Sequence, residues 1–296
     1  MERIEKLVIV GVGLIGGSFA LALKGAGAVG RVIGVGRGAR NIRRALDLGI
    51  IDAAGAADGE TLKDADLVLL AVPVGQMRAV MRSIAPLLGA RTVVTDAGST
   101  KQGVVELARR ELKAALSRFV PGHPIAGTER SGADAAFAGL YRGHRVVLTP
   151  LAENEPGALA LVRAAWERCG ASVSELRPRE HDAVLAAVSH LPHVLAYALV
   201  DQVARHKNAK RLFSYAAGGF RDFTRIAGSH PEMWRDICLA NRKALLVELK
   251  RYGVELERVK KMLARGDGKA LEALFSGARG ARARKERLER PGVAAR

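Results

Sequence analysis

The segment from Leu7 to Lys24 constrains the fold more than any other part of the chain. Four apolar residues, Leu7 to Val10, run directly into Gly11-Val12-Gly13-Leu14-Ile15-Gly16, and a stretch with helical spacing follows. Strand, glycine turn and helix in that order form the corner at which a parallel sheet receives a dinucleotide pyrophosphate. Gly11 permits the tight turn, Gly13 lets backbone approach the phosphates, and Gly16 lets helix and strand pack closely. The helix N-terminus directs partial positive charge at the anion.

The first half of the chain repeats this alternation. Strands are predicted at Leu7 to Val10, Arg31 to Val35, Leu67 to Val72, Thr92 to Thr95, Phe119 to Val120, Arg145 to Leu148 and, more weakly, Ala171 to Leu176. Helical stretches at Leu14 to Lys24, Gly75 to Leu88 and Thr100 to Ala115 lie between them. Alternating short apolar strands and helices predict an α/β fold with a Rossmann-type doubly wound parallel sheet. Beyond Glu180 the strand signal ends; helical patterns cover His181 to His206 and Pro231 to Leu263, with a glycine-containing stretch between. The expected organisation is a dinucleotide-binding domain over 1–178, an all-helical domain over 179–276 and a basic tail over 277–296. Apolar residues in Ala183 to Val203 are too dense for a one-sided surface helix, so burial against neighbours or a second subunit is expected, the latter giving a homodimer.

Composition narrows the function classes. The formal net charge is +17, a value that raises nucleic acid as a partner. Part of the excess sits in the tail, where Arg279, Arg282, Arg284, Lys285, Arg287 and Arg290 stand among Gly and Ala. That segment offers little to bury and is expected to be disordered. No nucleic-acid-reading motif accompanies it, so a nucleic-acid role is disfavoured. The charged start, Met1 to Lys6, and the lack of 18 consecutive apolar residues predict a cytoplasmic protein with no membrane association. Cys169 and Cys238 suggest neither a disulfide nor a metal site, and no metal is expected.

Ligands of open parallel sheets lie beyond the carboxyl ends of the strands. The cofactor-binding set is therefore Gly11, Gly13, Leu14, Ile15 and Gly16, with Val72 and Pro73 at the end of the third strand. A carboxylate for the ribose hydroxyls is expected after the second strand, but Gly36 stands there, with Arg37 and Arg40 close by. Two arginines and no acid favour a 2'-phosphate, tilting cofactor choice from NAD toward NADP. Ordinary surface arginines beside an NAD site are the competing reading. After the fourth strand comes Asp96-Ala97-Gly98-Ser99-Thr100-Lys101, where Ser99 either bonds a ligand or caps a helix starting at Thr100. After the fifth comes Gly122-His123-Pro124-Ile125-Ala126-Gly127, a histidine on a constrained loop. In the helical part, Ser189-His190-Leu191-Pro192-His193 places a proline where the helix must kink or break. Gly218 to Arg225 combines glycines with Arg221, Asp222 and Arg225, a composition suited to an anionic ligand.

Taken in order, these segments resemble the prephenate and arogenate dehydrogenase family. The resemblance runs from Leu7 to about Leu263 and adds Phe220-Arg-Asp-Phe-Thr-Arg-Ile-Ala and Met233-Trp-Arg-Asp to the motifs above. It implies a nucleotide-binding domain followed by a helical dimerisation domain, and NAD(P)-dependent oxidative decarboxylation of prephenate, or of arogenate, on the way to tyrosine. By the same resemblance His123 is the general base and Ser99 orients the reacting hydroxyl. Arg225 then binds a substrate carboxylate, Ser189, His193 and Arg221 line the cleft, and Asp222 and Trp234 shape it, Trp234 from the partner subunit if the dimer so arranges it. A β-hydroxyacid dehydrogenase and a non-catalytic nucleotide- or nucleic-acid-binding protein are the competing readings.

Overall fold

The computed structural model describes residues 3–289. Six parallel strands form the first sheet: β1 (Ile4–Val10), β2 (Val29–Val35), β3 (Ala53–Gly55), β4 (Leu67–Leu70), β5 (Val93–Asp96) and β6 (Phe119–Val120). Their order is β3-β2-β1-β4-β5-β6, the doubly wound arrangement of dinucleotide-binding folds, in which winding reverses between β1 and β4. Both faces are covered, which is why the strands read as continuous apolar runs. Leu7 and Ile9 of β1 enter one core with Phe19, Leu23, Val162 and Trp166. Val8 and Val10 enter a second core with Met77, Met81, Val104 and Val105.

The helices around this sheet are α1 (Leu14–Gly25), α2 (Ala39–Asp47), α3 (Gly59–Leu62), α4 (Met77–Ile84), α5 (Gln102–Glu111) and α6 (Pro156–Arg168). The strands foreseen at Arg145 and Ala171 do not extend the first sheet. They are β8 (Arg145–Leu148) and β9 (Ser172–Glu175), which pair with each other, and β8 also pairs with a strand not foreseen, β7 (Gly122–Pro124), giving a separate three-stranded sheet. His123 therefore sits on a strand and not on a loop; it is opposite Val147 in an antiparallel pair. Three residues flanked by glycine and proline carry no period-2 signal of their own, and β8 supplies the pairing.

The helical part comprises α7 (Pro178–Leu185), α8 (Leu191–Ala204), α9 (Ala209–Ser214), α10 (Gly218–Thr224), α11 (Pro231–Ala240), α12 (Arg242–Ala264) and α13 (Gly268–Glu289). Between α7 and α8 the chain continues as a π-type turn, Ala186–His190. Pro192 lacks the N–H that a regular helix needs there, and a π-turn is the usual accommodation of such a break. The continuous stretch Pro178–Ala204 is long and apolar enough, by length and composition alone, to cross a membrane. It also carries His181, Asp182, His190 and His193, of which the first three are buried inside the protein.

The chain divides into two compact units, residues 1–245 and 246–296. In the second unit, α12 and α13 are joined at Gly266 in the left-handed region (φ 63°), and Leu246, Val254, Leu263 and Phe275 lie exposed. The disordered tail is corrected in part: α13 carries residues 277–289 as helix. Ala, Arg, Lys, Glu and Leu are strong helix formers, so the segment forms helix although none of residues 277–284 is buried; residues 290–296 lie outside the described residues.

Candidate active site

The loops at the carboxyl edge of the first sheet meet one another through glycines. Gly11 has φ 101°, and a Cβ there would stand 2.4 Å from the Ala71 carbonyl oxygen and 3.1 Å from Val72. At Gly16 a Cβ would meet the Gly11 oxygen at 2.3 Å. Next to them, Gly13 opens onto space with nothing within 4 Å, and α1 starts there with no side-chain cap. Free first-turn amides beside an open glycine, with the half-buried Val72 and Pro73 across the winding reversal, fit a dinucleotide pyrophosphate. Asn41 steadies the turn by donating to the Val12 carbonyl at 2.6 Å and accepting from the Ala133 N–H at 2.9 Å. Arg37 and Arg40 are exposed.

From β4 the edge leads to β5. A Cβ at Gly98 would stand 3.2 Å from Val74, and at Gly75 it would stand 2.3 Å from an Asp236 carboxylate oxygen. These glycines let the loop after β4 pack between the loop after β5 and helix α11. The fully buried Lys101 then ties β5 to β7: its Nζ bonds the Asp96 carboxylate and, at 2.7 Å, the Gly122 carbonyl oxygen. Asp96 also accepts the Gly98 and Gly122 N–H groups at 2.8 and 3.2 Å. Burial pulls the Lys101 pKa below its ordinary value, opposed by Asp96 and Asp182. Such a pair holds its strands in one register, and removing one partner costs about 3–5 kcal/mol.

This register places His123 at the start of a hydrogen-bonded chain. His123 Nδ1 lies 2.8 Å from His181 Nε2, and His181 Nδ1 lies 2.8 Å from Asp182 Oδ1. The same carboxylate accepts the backbone N–H groups of Lys101 and Gln102 at 2.7 and 3.0 Å, so it is Asp182 that caps α5. Ser99 does not cap that helix, and it lies half-buried without a side-chain hydrogen bond to His123. Asn241 donates to the Asp182 carbonyl at 2.7 Å and lies 3.0 Å from His190 Nδ1. Burial, then the neighbouring His181, Lys101 and His190, hold His123 well below the usual imidazole range. Burial alone would raise the Asp182 carboxyl; His181 and the two backbone donors outweigh it and hold it low. Among the described residues no group of acidic, histidine or cysteine side chains could hold a metal ion.

Next to this chain, His193 stacks on Trp234 with ring centroids 3.6 Å apart, and His190 meets Trp234 edge-on at 6.0 Å. His193 Nδ1 donates to the Ser189 carbonyl at 2.9 Å. Trp234 thus reaches the cluster within its own chain. Its indole N–H is buried without a partner, a donor a ligand could use. Arg225 forms an ion pair with Glu129, five residues beyond β7, so one guanidinium nitrogen is engaged on the segment that carries His123. Arg221 and Asp222 are exposed on α10 and are not drawn into the histidine cluster. The sequence marks Lys101 only as the last residue of the loop after β5, with no role, and does not mark His181, Asp182 or Asn241 as site residues; an adjacent His-Asp pair just after a helix-starting proline is the one signal available for two of them.

Two family models match the chain. The prephenate dehydrogenase nucleotide-binding domain matches residues 19–175, and the prephenate dehydrogenase dimerization domain matches residues 177–277. A cyclohexadienyl dehydrogenase of Zymomonas mobilis is 37% identical over 95% of this chain and 96% of its own length. A prephenate dehydrogenase of Bacillus subtilis is 35% identical over 93% of this chain and 74% of its own. Among solved structures, prephenate dehydrogenase from Aquifex aeolicus, in complex with hydroxyphenyl propionate and NAD+, superposes with a TM-score of 0.87 at 36% identity, covering 97% of this chain and 99% of that one. Synechocystis arogenate dehydrogenase superposes with a TM-score of 0.77 at 31% identity, covering 95% and 99%. With two consecutive domain models matching residues 19–175 and 177–277, and relatives of 35–37% identity matched over more than nine-tenths of this chain, the chain belongs to the prephenate dehydrogenase family of oxidoreductases.

Proposed function

We propose that this chain catalyses the NAD(P)-dependent oxidative decarboxylation of prephenate, with arogenate as the competing substrate. The observation that carries this is His123: an imidazole kept neutral by burial, held at Nδ1 by His181, with Nε2 bonded to no described residue. A neutral imidazole is what a general base for a hydroxyl proton requires. Gly11, Gly13, Gly16 and the first-turn amides of Leu14 and Ile15 would hold the dinucleotide, with Val72 and Pro73 beside it. When bound, the nicotinamide supplies a hydride acceptor for C4 of the cyclohexadiene. His123 takes the C4 hydroxyl proton as the C4–O bond becomes a carbonyl. The ring carboxylate then leaves as CO2, its bonding electrons enter the ring, and the aromatic product recovers a proton at oxygen from His123. Ser99 would orient the hydroxyl, and Arg225 would bind a substrate carboxylate once Glu129 yields or shares it. Ser189, His193, Arg221, Asp222 and Trp234 would shape the remaining cleft.

NADP is the preferred cofactor on this reading, because Gly36 places no carboxylate against a 2'-phosphate and Arg37 and Arg40 are exposed without ion pairs among the described residues. The chain would work as a homodimer, which would cover apolar residues left exposed in one copy, such as Val188, Leu239 and Val254. Purified protein with prephenate or arogenate, each with NAD or NADP, tests both readings through the appearance of reduced nicotinamide. Prephenate with NADP is expected to give the highest kcat/KM. Inactivity with all four pairs rejects the function.

A further inference from the structure

Resting on the base assignment just made, the geometry points to a role for two residues that the reaction scheme leaves out: we propose that His181, anchored by Asp182, is a positioning residue that fixes the proton of His123 on Nδ1 and leaves Nε2 as the only basic nitrogen.

The donors and acceptors follow in order along the chain. Asp182 is an acceptor only: its Oδ1 already takes the Lys101 N–H, and its Oδ2 the Gln102 N–H. Facing Oδ1 at 2.8 Å, His181 Nδ1 must therefore carry a hydrogen. A neutral imidazole has one N–H, so His181 Nε2 is left as a lone pair. That lone pair faces His123 Nδ1 at 2.8 Å, which makes His123 Nδ1 the donor. The remaining nitrogen, Nε2, makes no hydrogen bond with any described residue, and His123 keeps 9% of its surface exposed. A second proton on His181 would put two N–H groups face to face across 2.8 Å. The ammonium of Lys101 and the rings of His190 and His181 also oppose positive charge on His123, while Asp96 and Asp182 lie further along the network as the compensating charges.

The arrangement does two things for catalysis. It removes the unproductive tautomer, in which Nε2–H would face the substrate hydroxyl and donate to it. It also gives the imidazolium formed during turnover a hydrogen-bond acceptor at Nδ1, backed by a carboxylate one ring away. The Asp182 side chain additionally caps α5, so a change there would disturb the fold as well as the relay.

The test uses His181 variants of the full chain and two readouts. His181→Leu removes the acceptor at similar volume, and His181→Gln restores one through its side-chain carbonyl. With His181→Leu, kcat is expected to fall by at least roughly tenfold with little change in substrate KM; His181→Gln is expected to recover most of it. Nitrogen-15 NMR of the histidine rings is expected to show His123 as the Nδ1–H tautomer in the wild-type protein and to lose that preference in His181→Leu. Wild-type kcat in His181→Leu, or an Nε2–H tautomer at His123 in the wild-type protein, would overturn the proposal. Should His181→Leu fail to fold, the wild-type spectrum and His181→Gln decide alone. The spectrum needs no turnover, so a protein inactive on both cyclohexadienes would still report the tautomer. Activity alongside an Nε2–H signal would reject the positioning role while leaving the function standing.

Discussion

The glycine turn between β1 and α1 is built from six consecutive residues, whereas the histidine chain draws on β7, the head of α5 and α7, segments 58 and 81 residues apart at their key contacts. The turn needs space: Gly11 and Gly16 are glycines because a Cβ would strike backbone within 2.4 Å. The histidine chain needs partners: each ring nitrogen has meaning only through what another segment places against it. One site is therefore specified by sterics within a short window, and the other by hydrogen bonds that only the folded chain can form. Their failures should differ in kind, since a turn that cannot close loses ligand and stability together, while a relay that loses the His123 ring keeps its fold and loses rate.

The largest effect is expected at the turn. Gly11→Ala must hold a φ of 101° and force Ala71 away, which together cost about 4 kcal/mol; thermal unfolding and dinucleotide titration should report lower stability and lost binding at once. His123→Asn should separate the two regions most cleanly. A drop in kcat of roughly a hundredfold, about 2.7 kcal/mol, with dinucleotide affinity retained, is the expected outcome of losing a general base. If the two variants failed alike, the distinction between a steric site and a hydrogen-bonded one would be lost.

A pH-dependent effect, small within any one pH unit, sharpens the comparison from the side of acid. Burial, partly offset by Asp182, lowers His190 to about 4, while an unfolded histidine titrates near 6.5. Between those values the unfolded chain binds the extra proton and the folded chain does not. Stability is thus full above about pH 6.5 and falls by about 1.4 kcal/mol per pH unit for His190 down to about pH 4. Melting temperatures of wild type and His190→Gln across that range should converge as pH drops. Parallel curves would show that His190 is not held neutral by the fold.

What could be read from the chain alone follows the range over which each feature is encoded. Leu7 to Val10, the glycine turn and Leu14 to Lys24 are local, and the structure reproduces all three within a few residues. Strands buried on both faces carry their own apolar signal, so five of the six strands in the first sheet were visible; the three residues of β3 were too short to register. His123 was visible as a candidate because glycine and proline frame it, yet its strand was not, because β7 exists only through pairing with β8. The basic stretch after Gly277 shows the opposite: local helix propensity prevails there over charge density, and α13 continues to Glu289.

The sequence by itself determined the doubly wound sheet, the glycine turn and the helical second half, all of which depend on residue types in short ordered windows, and it singled out His123 as the candidate base. Only the tertiary structure decided that Lys101 ties β5 to β7, that Trp234 stacks on His193, and that His181 and Asp182 stand behind His123. A hydrogen bond lasts over about 3 Å, and no pattern along a chain reports which residues, eighty positions apart, will be brought within that distance.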